Sequence, residues 1–75
     1  MRATVYTRAN CGLCEEATRL LQQHGFELTF VDIDGDAELQ RRFTTCVPVV
    51  EIDGRVRFRG RVNEILLRRM LHEAP

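Results

Sequence analysis

The sequence predicts an α/β fold with its elements in the order β-α-β-α-β-β-α: a four-stranded mixed sheet with helices on both faces. Three stretches carry that prediction. A strand-like run at residues 3–6, a helical periodicity over residues 13–24 and an alternating run from Phe26 onward form a strand–helix–strand unit, whose crossover is parallel and right-handed. Asp53-Gly54 between two alternating runs signals a tight antiparallel hairpin. A last helical stripe places Leu66, Leu67, Met70, Leu71 and Ala74 on one face, with Arg68, Arg69 and Glu73 on the other.

Length and composition set the limits on these elements. Seventy-five residues make one domain, 1–75, near the lower end of what buries a self-sufficient core. A content of 44% hydrophobic and 29% charged residues fits an ordinary globular chain rather than a disordered one. The N-terminus leads into a short strand rather than a long apolar segment, so neither a signal peptide nor a membrane span is expected, and the protein is expected to be a cytoplasmic monomer. Three cysteines are too few for a secreted disulfide framework, and an odd thiol is a liability outside the cell, so they are read as reactive rather than stapling. Net charge is zero, but the halves differ. Residues before Leu39 carry three Arg against seven acids, and those from Leu39 onward carry eight Arg against four acids.

Taken in order, residues 3–6 are short and mostly apolar or β-branched, as a central strand covered on both faces is. From Cys11 the apolar positions Leu13, Ala17, Leu20 and Leu21 recur at helical spacing, with Asn10 as the expected cap and Gly25 as a left-handed stop. Phe26, Leu28 and Phe30 then alternate with Glu27 and Thr29, and Val31 and Ile33 carry the second strand on. Asp34-Gly35-Asp36 breaks it, and Asp36 caps a short helix over residues 37–43, where Leu39 and Phe43 lie four apart. Pro48 cannot sit inside a central ladder, so it opens the third strand, and a cis peptide is expected before it. Gly60 ends the fourth strand.

The chemistry-bearing motif is Cys11-Gly12-Leu13-Cys14. Two cysteines three apart, after a strand and at the head of a helix, have the context of a redox dithiol. A cysteine at a helix N-terminus lies among unpaired N–H groups and the positive end of the dipole, so its thiolate is stabilised. Cys11 is therefore expected to attack a disulfide, and Cys14, one turn on, to resolve the mixed disulfide that results.

The element order, with Cys-x-x-Cys after the first strand and a Pro opening the third, resembles the glutaredoxin-like branch of the thioredoxin fold over nearly the whole chain. Thr7-Arg8-Ala9-Asn10-Cys11-Gly12-Leu13-Cys14 is similar to that family's strand end, basic residue, turn and dithiol, and Val47-Pro48 to its cis-proline step. The resemblance implies a thiol-disulfide oxidoreductase acting on protein disulfides or glutathione mixed disulfides, recharged by glutathione or by a reductase protein. It implies that the backbone of Val47, beside Pro48, pairs with substrate, that Arg8 stands near the thiolate and takes a glutathione carboxylate, and that the turn from Gly60 holds the other end. No tightly bound cofactor is implied; glutathione enters as a co-substrate. Common dithiol members carry Pro-Tyr where this chain has Gly12-Leu13, and their paired glycines before the last helix are reduced here to Gly60. The absence of Trp makes thioredoxin proper the weaker match.

Two other readings compete. Cys11-Gly12 is similar to single-cysteine glutaredoxins that hold an iron–sulfur cluster with glutathione, and Cys46, two residues before Pro48, is a candidate ligand or alternative disulfide partner. The bland reading of Cys46 is a small, inert, buried residue, and it is preferred. A closed zinc site wants four ligands, and neither His24 nor His72 falls at zinc-finger spacing, so no metal is assigned. The third reading is a binding module. Arg55, Arg57, Arg59 and Arg61 recur at every second residue while Val56 and Phe58 are expected to point the other way, giving a basic ridge. Charge on an edge strand more often guards against edge pairing. With no aromatic residues interleaved as stacking platforms, nucleic acid is not an expected partner.

Overall fold

The computed structural model describes residues 1–43 and 47–73. It runs β1 (Arg2–Thr7), α1 (Gly12–Gln23), β2 (Glu27–Asp32), a 3₁₀ turn at Ile33–Gly35, α2 (Ala37–Phe43), β3 (Val49–Ile52), β4 (Arg55–Arg59) and α3 (Glu64–Glu73). The strands lie in the order β2-β1-β3-β4, with β1 parallel to β2 and antiparallel to β3, and β3 antiparallel to β4. This is the mixed four-stranded sheet that the crossover and the hairpin signal together require.

Alternation along the two central strands divides the core. Ala3 and Val5 of β1 and Val50 and Ile52 of β3 pack with Ala17 and Leu21 of α1 and Leu67 of α3. On the opposite face Val49, with Tyr6 beside it, meets Ile33 and Phe43, the last from α2. Leu21, Leu67 and Phe43 are almost wholly buried, and each fully buried side chain of this size stabilises by about 1.5–3 kcal/mol. The helices thus cover both faces of the central strands, where Ala3, Val5, Val49, Val50 and Ile52 are buried.

Local chemistry sets the boundaries. Gly25, at φ 80°, ends α1 in the left-handed region, and Asp36 caps α2 through Oδ1, which accepts from the amides of Glu38 and Leu39. Asn63 caps α3 in the same way, accepting from Ile65 and Leu66. Asp53 (φ 54°) and Gly54 (φ 77°) both have positive φ, as the two-residue type I′ hairpin demands. The Val47-Pro48 peptide is cis, and Pro48 immediately precedes β3 instead of lying in it.

Four expectations are corrected. Asn10 does not cap α1: it takes a left-handed φ of 58°, and Cys11 is the cap. Ile33 does not carry the second strand on: β2 ends at Asp32 and Ile33 opens the 3₁₀ turn, while Phe30 on this edge strand is 54% exposed. Leu66 is 50% exposed while Leu67 is buried, so the core stripe of α3 runs through Leu67, Met70 and Leu71; Ala74 lies outside the described residues. The basic ridge is also broken. Val50 opposes Phe58 and Glu51 opposes Val56, which leaves Arg57 as an extra residue on β4. Phe58 therefore joins the α1/α3 core and Val56 the α2 core. Arg55 opposes Ile52 and Arg59 opposes Val49, so these two arginines leave the sheet on opposite faces.

Candidate active site

β1 delivers the chain to the dithiol through a short loop, and the left-handed turn at Asn10 redirects it into α1. Cys11 has extended backbone (φ −106°, ψ 100°), and its sulfur accepts from the amide of Cys14 at 3.1 Å. The sulfur thus does the work that a Ser or Asp oxygen does at an ordinary N-cap. Cys11 and Cys14 are joined as a disulfide, with Cα atoms 5.2 Å apart. Their exposures differ: Cys11 is half-buried, and Cys14 is 5% exposed. One turn further along, the Thr18 hydroxyl donates to the carbonyl of Cys14 at 2.8 Å.

On reduction, a negative charge on Cys11 keeps the Cys14 amide as a donor and gains the field of the helix N-terminus. A charge on Cys14 is more costly, since that sulfur belongs to a buried residue. The arrangement therefore favours a thiolate at the more accessible sulfur and a protonated thiol behind it.

The disulfide opens onto a groove of about 430 Å³ lined by Arg8, Cys11, Cys14, Glu15, Arg19 and Gln22 among others. Arg8 lines the same groove as the dithiol, with its guanidinium engaged by Asp34 Oδ1 at 3.0 Å. The other carboxylate oxygen of Asp34 accepts from the amide of Ala9 at 3.3 Å. Sequence reasoning missed Asp34, treating it only as a strand breaker. The signal that points to it is topological: Thr7 pairs with Asp32 in the parallel β1–β2 ladder, so the residues after both strands emerge at one end of the sheet.

Val47, Pro48 and Gly60 do not line this groove. Gly60 donates its amide to the carbonyl of Pro48 at 2.7 Å, which joins these two expected residues to each other. Tyr6 pairs with Val49, so one more step places Pro48 beside Thr7, at the sheet end that carries the dithiol. Cys46 lies outside the described residues. Among the described residues no group of three His, Cys, Asp or Glu side chains gathers as a metal would need, and no helix is long and apolar enough to cross a membrane. His24 ends α1 and reaches Glu64 of α3 at 3.2 Å. Tyr6, under α2, has its pKa raised, first by burial and then by the Glu51 carboxylate, with Arg42 opposing.

The model of the Glutaredoxin-like domain (DUF836) family matches residues 2–72. The chain belongs to that family. The chain is similar to the X. campestris protein XcR50, whose X-ray structure shares 31% identity over 97% of this chain and 99% of that one, with a TM-score of 0.82. The solution structure of XcR50 aligns at 34% identity, TM-score 0.80, over 100% and 97% of the two chains. The glutaredoxin-like protein NrdH-redoxin from Escherichia coli, described as having a thioredoxin-like activity profile, shares 29% identity over the full length of both chains with a TM-score of 0.72. No match was found among curated proteins. Membership of this glutaredoxin-like, thioredoxin-fold family, with a Cys-x-x-Cys disulfide at the head of α1, gives the chain a redox role.

Proposed function

We propose that the protein is a thiol-disulfide oxidoreductase that reduces protein disulfides or glutathione mixed disulfides through Cys11 and Cys14. The observation that carries this reading is the bond from the Cys14 amide to the Cys11 sulfur, with Cys11 the more accessible of the pair. The Cys11 thiolate attacks one sulfur of the substrate disulfide, forming a mixed disulfide and releasing the other half as a thiolate, which takes up a proton. Cys14 then loses its proton and attacks the Cys11 sulfur, closing the Cys11–Cys14 disulfide and expelling the second substrate thiol. Two electrons pass from the dithiol to the substrate, and an external thiol restores the reduced pair, either glutathione or the dithiol of a reductase protein.

Val47 and Pro48 are proposed to hold the substrate backbone beside the dithiol, and Gly60, bonded to Pro48, to shape that ledge. Arg8 is proposed to attract a substrate carboxylate, in competition with Asp34. The E. coli NrdH-redoxin, with its thioredoxin-like profile, favours a reductase protein over glutathione as the source of electrons. An odd number of cysteines, three, suits a reducing compartment such as the cytoplasm.

Trapping tests the assignment. Cys14→Ser is expected to accumulate a covalent adduct with a disulfide substrate through Cys11, and Cys11→Ser to accumulate none. Adduct formation through Cys14 instead, or turnover unaffected by either substitution, would falsify it.

A further inference from the structure

We infer that Asp34 is a positioning residue for the dithiol: by binding Arg8 and the Ala9 amide together it holds the loop before Cys11 and masks a cation that shares the groove with the Cys11 sulfur. This rests on the reading of Cys11 as the attacking thiol. Asp34 belongs to a turn that follows β2, yet both of its carboxylate oxygens are committed to the β1–α1 loop, at 3.0 Å to Arg8 and 3.3 Å to Ala9. Asp34 is itself fixed from two sides. Its amide donates to Asp32 Oδ1 at 2.9 Å, and its carbonyl accepts from Gln40 Nε2 of α2 at 2.8 Å. The carboxylate is therefore aimed by β2 and α2 at the peptide that leads into the cap.

The electrostatic consequence follows from the groove's charges. Around the sulfurs, the lining residues bring Arg8 from the loop, Glu15 and Arg19 from α1, and Asp34 through its bond to Arg8. Arg8 lines the same groove as Cys11, and an unmasked guanidinium there favours the thiolate. Paired with Asp34, it contributes a near-neutral unit, and the helix amides dominate. The pair is only partly exposed, 40% and 38% by side chain, so screening by water keeps the effect modest.

The test is the pH midpoint of iodoacetamide alkylation at Cys11, resolved by mass, in the reduced full-length protein. In water, removing one charge from this groove is expected to shift the midpoint by a few tenths of a unit, about twofold in thiolate at fixed pH. Asp34→Asn keeps one oxygen for the Ala9 amide and removes the countercharge that Asp34 sets against Arg8, so the midpoint is expected to fall. Arg8→Gln is expected to raise it, and the double variant to return to the wild-type value. A midpoint unmoved or raised in Asp34→Asn, or the same fall in the single and double variants, overturns the inference. Should Asp34→Asn not fold, Asp34→Ser and Arg8→Gln carry the same expectations, and an unmoved midpoint in Arg8→Gln overturns it. Alkylation needs no disulfide turnover, so inactivity of the wild-type protein toward every disulfide sinks the oxidoreductase reading and leaves this result to stand or fall separately.

Discussion

The amide of Cys14 donates to the sulfur of Cys11 at 3.1 Å, so the residue proposed to resolve the mixed disulfide also holds its partner's sulfur at the head of α1. One peptide group thereby links the order of the chemistry to the start of a helix. Because Cys11 is the N-cap, its sulfur occupies the position where the helix field is strongest and its own amide is still outside the helix.

Asn10 sets the approach to that cap. With φ at 58°, it occupies the left-handed region, which a β-carbon penalises in most residues and which Asn and Gly tolerate. Asn10→Ala is expected to cost about 1–2 kcal/mol, read by chemical denaturation, while Asn10→Gly costs less. Equal stability of the Ala and Gly variants contradicts this.

Adjacent leucines of α3 are expected to behave differently. Leu67 is fully buried in the α1/α3 core, so Leu67→Ala should cost about 2–5 kcal/mol. Leu66 is 50% exposed, and Leu66→Ala should stay within about 0.5 kcal/mol of wild type. Comparable losses at both positions would contradict the rotation of this helix.

Tyr6 is the single tyrosine, so its titration is directly visible in the ultraviolet. Burial, supported by Glu51, raises its pKa above the ordinary 10.0. The native state therefore holds the phenol proton more tightly than the unfolded chain does. Its contribution to stability is fully present below pH 10.0 and is lost as the pH rises through the folded midpoint. Tyr6→Phe should remove that part of the alkaline loss, and an unchanged alkaline profile in the variant counts against it.

Much of this was legible in the sequence because it is local. The Asp53-Gly54 turn, the Asp36 cap of α2, the Gly25 stop and the dithiol at a helix start each depend on a few neighbouring residues. What was not legible depends on register or on distant pairing. Val56 and Phe58 stand two apart, as in a regular strand, and only the shift opposite Val50 and Glu51 reveals that Arg57 is an inserted residue that sends them to different faces. Leu66 and Leu67 both suit an apolar stripe, and the choice between them is made by how α3 rests on Val50, Phe58 and their neighbours. Asp34 meets Ala9 across 25 residues of sequence, a relation set by the parallel pairing of β1 and β2.

The account rests on an ionised Cys11 held by the amides that open α1. The most direct measurement is the alkylation rate of Cys11 in the reduced protein as a function of pH. Its midpoint is expected below about 8.5, the ordinary value for a cysteine, with Cys14 reacting more slowly throughout. A midpoint at or above that value, or a Cys14 that reacts first, would contradict it.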